Sequence, residues 1–167
     1  MLRIAINGYG RIGRSVLRAL YESEARKTVQ VVAINELADS KTIAHLTRYD
    51  STHGRFPGIV EASEDKICIN GDSITILHQQ NLDQLPWAKL NVDVVLECSG
   101  AFADRATAEQ HLTSGARRVL FSQPAESNVD ATIVYGINEH LLTGDETIIS
   151  SASCSTNCVV PVIKVLH

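Results

Sequence analysis

The chain has 167 residues, 44% hydrophobic and 20% charged, the composition of a folded domain with one core rather than of a disordered segment. A formal net charge of −4 gives no electrostatic reason to expect nucleic acid or an anionic membrane as partner, and no apolar run approaches a membrane span. The four cysteines, Cys68, Cys98, Cys154 and Cys158, are few and unevenly spaced, which argues against a disulfide framework. A zinc site lacks its second ligand pair, so no metal is expected, and free thiols point to a cytoplasmic chain.

Leu2 to Ile6 is a short apolar run that meets Asn7-Gly8 at once, too short for a signal peptide and suited to a first strand. Ile12, Val16, Leu17, Leu20 and Tyr21 then recur at helical spacing. Val29 to Ile34 is a continuous run rich in β-branched residues, as in a strand buried on both faces. Ser40 is expected to cap a short helix reaching Thr47. Between Phe56 and Leu77, Ile67-Cys68-Ile69 and Ile74-Thr75-Ile76 flank Asn70-Gly71, which predicts a hairpin. Val92 to Cys98 resumes the buried-strand pattern, and a helix is expected near Asp104 to Ser114. Arg118 to Ser122, Ala131 to Tyr135 and Glu146 to Ser150 complete the strands, and an apolar helical pattern follows from Val159. Such alternation predicts an α/β fold of the Rossmann type: a doubly wound, mostly parallel sheet with a small antiparallel hairpin insertion.

Gly8-Tyr9-Gly10-Arg11-Ile12-Gly13 reads GxGxxG between the first strand and the first helix. In that setting Gly8 permits a tight turn, Gly10 lets the backbone approach a pyrophosphate, and Gly13 lets helix and strand pack closely. The motif alone is weak, since a ligand-free turn reads the same way. It gains weight from Glu36, which ends the second strand at the roughly 20-residue offset of a ribose-binding acid. A carboxylate there repels a 2′-phosphate, so NAD is expected rather than NADP.

Ser153-Cys154-Ser155-Thr156-Asn157-Cys158 lies between the last strand and the last helical pattern. Helix N-termini favour anions, so Cys154, nearer the helix start than Cys158, is the expected nucleophile. With NAD, a thiol suggests aldehyde oxidation through a thiohemiacetal and a thioester. None of the six histidines is tied to Cys154 by the sequence, and the general base is expected beyond residue 167.

Three segments taken together resemble the glyceraldehyde-3-phosphate dehydrogenase superfamily: AINGYGRIGR from Ala5, YDSTHGRF from Tyr49 and SASCSTNC from Ser151. The resemblance implies Cys154 as nucleophile, with Ser153 and Ser155 near a substrate phosphate. It places Asn7, Arg11, Ile12, Glu36, Gln80, Ser99, Gly100 and Ser122 around NAD. Gln80 stands where the family often has arginine near the adenine. Glu36 stands where the glycolytic enzymes have aspartate, and weaker NAD affinity is expected from it.

The likeness covers the N-terminal half of such an enzyme. On this reading residues 1–153 form the NAD-binding domain, and 154–167 begin the hinge helix leading to a catalytic domain outside this chain. The fragment alone is then expected to be inactive. A small phosphorylated aldose as substrate and a homotetramer are likewise implied by the family. Ala33 to Asp39, Leu85-Pro86-Trp87 and Val134 to Asn138 resemble the erythrose-4-phosphate dehydrogenase branch, whose product lies on a route to pyridoxal phosphate. The phosphorylating glycolytic branch is the first alternative. A stand-alone NAD-binding or thiol redox module is the second.

Overall fold

A computed structural model describes residues 1–167. The chain begins with β1 (Leu2–Asn7), α1 (Arg11–Tyr21), β2 (Val29–Asn35) and α2 (Ser40–Arg48). A two-stranded antiparallel ribbon, β3 (Tyr49–Asp50) and β4 (Gly54–Arg55), leads to β5 (Val60–Ala62), β6 (Lys66–Ile69) and β7 (Asp72–Leu77). The remainder is β8 (Val94–Glu97), α3 (Arg105–Thr113), β9 (Arg118–Phe121), β10 (Ala131–Thr132), β11 (Ile148–Ser150) and α4 (Cys154–Leu166).

Nine strands form one sheet in the order β10-β11-β9-β8-β1-β2-β7-β6-β5. Pairing is parallel from β10 through β7 and antiparallel only where β7, β6 and β5 meet. The chain winds one way from β1 to β2 and the other way to β8. A crevice therefore opens at the carboxyl ends of β1 and β8, where such folds hold their ligands. The doubly wound α/β architecture expected from the alternation is the one observed.

Alternation along each strand builds two cores. Ile4 and Ile6 of β1 pack with Val31 and Ile34 of β2 and with Leu17 and Leu20 of α1. Ala5 of the same strand faces the other way and joins Ala33, Val95, Leu85 and Trp87. A smaller cluster of Ala108, Val119, Phe121 and Ile148 seats α3 on β9 and β11.

The expected hairpin is found, and two other local expectations need correction. The hairpin is present, with Asn70 and Gly71 both at positive φ (52° and 92°) as a two-residue turn requires. It is inserted as expected into an otherwise parallel sheet, and β7 ties it in by pairing antiparallel with β6 and parallel with β2. The cap of α2 is Asp39, whose carboxylate accepts the Thr42 N–H at 2.9 Å and hydroxyl at 2.8 Å, while Ser40 donates its hydroxyl to the Glu64 carbonyl. Finally, β10 stops at Thr132. Asn138 Oδ1 takes the Val134 N–H at 2.7 Å and its amide donates to the Thr132 carbonyl, so a local side-chain turn replaces the strand's ladder.

Candidate functional site

The glycine turn at the end of β1 is held by absent side chains. Gly8 has φ +89°, and a Cβ there would lie 2.4 Å from the Ser99 Cα. A Cβ on Gly13 would lie 2.3 Å from the Gly8 carbonyl oxygen. The turn is thus pressed against the end of β8 on one side and against α1 on the other. Gly10 differs, since its missing Cβ would meet nothing within 4 Å. It precedes α1 with no side-chain cap, and the first intrahelical bond runs from the Arg14 N–H to the Gly10 carbonyl. The first-turn N–H groups are therefore left to an anion or to water.

Glu36 closes the cleft on the β2 side. Its Oε2 accepts the Tyr9 N–H of the glycine turn at 2.9 Å, and its Oε1 accepts the Leu37 N–H at 2.8 Å. Asn7, Gly8, Gly10, Glu36, Gln80 and Ser99 line a cleft of about 320 Å³, completed by Asn35, Gln79 and Phe102 among others. A wider depression of about 490 Å³ lies where β2 begins, around Arg26 and Asp72, away from the glycine turn. Its size carries no functional weight beside the position of the first at the switch point.

Beneath the cleft lies a polar network that sequence patterning did not single out. Glu97 and His111 are fully buried, 0% exposed each. Glu97 accepts from Asn7 Nδ2 at 2.6 Å, from the Ser99 N–H at 2.8 Å and hydroxyl at 2.5 Å, and from His111 Nε2 at 3.1 Å. Burial alone would raise its carboxyl pKa, but the bonds from His111, Ser99 and Asn7 outweigh burial and hold it below the usual value. Asn35 donates to Asn7 Oδ1 at 2.7 Å and accepts the Gln79 N–H at 2.9 Å. The available signal was Glu97 itself, a charge inside an apolar strand.

Other expected cofactor residues stand apart from the cleft lining. The Arg11 guanidinium is 2.9 Å from Asp50 Oδ2 and so is turned to the β3–β4 ribbon; Arg11 offers the cleft side its helix-start backbone. The N–H groups of His53 and Thr52, with Arg11, hold the Asp50 carboxyl well below the usual range. Ile12 is half exposed on α1, and Gly13 acts through packing. Gly100 follows Ser99 with φ +74°. Ser122 donates its N–H to the Glu97 carbonyl and lies beside Cys98, whose thiol is pushed up to about 11 by burial.

Ser153, Cys154 and Ser155 come together at the β11–α4 junction. Ala152, buried, takes φ +59°, at a cost of about 1–2 kcal/mol for a residue with a Cβ. Ser153 caps α4, its Oγ accepting the Thr156 N–H at 3.0 Å and lying 3.0 Å from Ser155 Oγ. Asn157 Nδ2 donates to the Ser151 and Ser153 carbonyls at 2.7 and 2.9 Å. Cys154 is the first residue of the helix and is exposed, as is Cys158 one turn on. No hydrogen bond joins Cys154 to a histidine: His78 lies on the Glu36 carbonyl and His111 on Glu97. The cysteine junction on β11 and the cleft at β8 and β1 are separated in the sheet by β9.

A doubly wound sheet, an uncapped helix behind a glycine turn and an acid at the end of β2 define a dinucleotide-binding domain. Residues 2–105 match the family model for the glyceraldehyde 3-phosphate dehydrogenase NAD-binding domain, and the chain belongs to that family. Its cofactor is NAD, and the family's activity is that of a dehydrogenase. The residues present fit this cofactor: the open Gly10 face and the free N–H groups of α1 suit a pyrophosphate, and the Glu36 carboxylate suits a ribose diol.

Proposed function

We propose that this chain is the NAD-binding unit of a dehydrogenase for D-erythrose 4-phosphate, with Cys154 as nucleophile. The sulfur attacks the aldehyde carbon, the carbonyl oxygen takes a proton, and a thiohemiacetal forms. When bound, NAD supplies the hydride acceptor for the carbon so activated. A thioester remains on Cys154, and water releases it as 4-phosphoerythronate. The partial positive charge of the α4 N-terminus favours a thiolate and a developing oxyanion, and the Ser153 and Ser155 hydroxyls suit a substrate phosphate.

The observation that carries this reading is the placement of Cys154: exposed, at the first position of a helix, on the same sheet edge as the cleft. β11 stands three strand spacings from β1, about 14 Å, a separation that an extended dinucleotide laid across the strand ends would bridge. The choice of erythrose 4-phosphate rests on the resemblance of the Ala33–Asp39, Leu85–Trp87 and Val134–Asn138 segments to that branch. We place residues 1–153 in the NAD unit and begin the helix to a substrate-side unit at 154. Val162, Ile163, Val165 and Leu166 of α4 are all exposed, which suits a covered position in a larger assembly.

The test is NADH production by the full-length protein with erythrose 4-phosphate and with glyceraldehyde 3-phosphate, each with and without phosphate. Turnover of the four-carbon aldehyde independent of phosphate is expected. Phosphate-dependent preference for the three-carbon aldehyde would replace this reading with the glycolytic one. Residues 1–167 alone are expected to bind NAD with negligible turnover, and normal turnover would overturn the division at 154.

A further inference from the structure

Glu97 closes an apolar strand with no exposed surface, a placement that is costly unless its oxygens are well supplied with donors. One donor comes from α3: His111 Nε2, 3.1 Å away. Behind the imidazole, the Trp87 indole donates to Nδ1 at 3.0 Å, and Trp87 is fully buried as well. An indole N–H only donates, so Nδ1 is the unprotonated nitrogen and the ring proton sits on Nε2, aimed at Glu97. The bonds therefore run one way, from Trp87 through His111 to Glu97.

On the other side the same carboxylate holds two walls of the cleft. Its Oε1 takes both the N–H and the hydroxyl of Ser99, and its Oε2 takes the amide of Asn7. Asn7 and Ser99 line the cleft, whereas Trp87 and His111 do not. The margin for movement is small, because the Ser99 backbone fills the space a Gly8 side chain would need.

We propose that Trp87 and His111 are positioning residues for NAD, acting through Glu97 to set how Asn7 and Ser99 face the dinucleotide. The proposal rests on NAD occupying this cleft. A buried network whose members are all paired keeps one geometry, and losing one donor leaves the carboxylate free to swing toward another. The displaced groups are then the cleft walls.

Three variants of this chain test it. His111→Gln keeps an amide nitrogen near the Nε2 position, whereas His111→Asn keeps only the Nδ1 side and leaves Glu97 one donor short. Trp87→Phe removes the indole proton and frees the imidazole tautomer. His111→Asn is expected to weaken NAD roughly tenfold by calorimetry, with His111→Gln within about threefold of wild type and Trp87→Phe between them. In the cofactor-free chain, hydrogen exchange at Ser99 is expected to quicken in His111→Asn and not in His111→Gln. Imidazole ¹⁵N shifts are expected to show a single Nε2–H tautomer that Trp87→Phe mixes. If folded His111→Asn binds NAD like wild type and Ser99 exchanges at the wild-type rate, the positioning proposal falls alone. A wild-type chain that binds no NAD overturns the placement of NAD in this cleft, and the proposal with it.

Discussion

The β1–α1 and β11–α4 junctions lie on one edge of the same sheet, and both turn a buried strand into a helix, yet they are built in opposite ways. The first has no side-chain cap and leaves its N–H groups open. Its shape comes from glycines pressed against Ser99 and against each other. The second is closed by its own side chains: Ser153 caps Thr156, and Asn157 ties down the Ser151 and Ser153 carbonyls. An open helix start suits an anion supplied from outside, whereas a capped one suits a reactive group carried on the chain. On the proposed function, the same dipole would favour a bound phosphate in one place and a thiolate in the other.

Breaking the first junction should have the largest effect. Gly8→Ala puts a methyl group into the Ser99 backbone at a φ that disfavours it. A loss of roughly 3–5 kcal/mol in urea unfolding is expected, with NAD affinity falling at least about a hundredfold. The second junction is anchored upstream by Asp130, whose carboxylate accepts the Thr147 N–H at 2.8 Å and the Ile148 N–H at 3.0 Å and pairs with Arg105. Asp130→Asn should cost about 1–2 kcal/mol at pH 7.

These bonds, the Thr147 N–H first, hold the Asp130 carboxyl well below the usual range. Because the folded pKa is the lower one, the stabilisation is complete above the unfolded value near 3.9 and is lost as pH falls through the folded value. The gap between wild type and Asp130→Asn should therefore narrow from about pH 4 downward, as urea titrations at pH 7 and 3 would show. A gap that widens in acid would contradict this assignment.

Converting one junction into the other sharpens the comparison. Gly10→Ser supplies the missing cap where a Cβ has room. It should raise stability by a few tenths of a kcal/mol while weakening NAD roughly tenfold, measured by thermal melts and calorimetry. Ser153→Ala should remove about 1 kcal/mol, seen as faster amide exchange at Thr156, and leave NAD affinity unchanged. Coupled loss of NAD binding in this variant would mean that the junctions are not independent.

What was legible in the sequence was local. The glycine turn, the Asn70-Gly71 hairpin and a cysteine at a helix start depend on residues a few positions apart, whose backbone needs are written in their types. The parallel partner of β7 was not legible, because Ala33 and Thr75 meet through sheet order rather than through any local pattern. The same holds under the cleft, where Trp87, Glu97 and His111 converge only once α3 packs on the sheet. Two errors were contests between neighbours: Asp39 outcompeted Ser40 for the cap, and Asn138 took the backbone groups that would have extended β10. The side-chain partner of Arg11 was likewise out of reach of local pattern, because Asp50 stands on a distant ribbon.

The bond between Asn7 and Glu97 joins residues 90 positions apart. During synthesis, the glycine turn emerges long before the strand that completes its cleft. At about 5–20 residues per second the interval is several seconds or more, ample for a hairpin that closes in microseconds. The β6–β7 hairpin, a local contact, closes well before the long-range pairing of β1 with β8 becomes possible. Nothing in the nascent chain has a finished place for NAD until Glu97 and Ser99 have left the ribosome. If NAD occupies this cleft, cofactor capture waits until residues 90 positions apart in sequence have met.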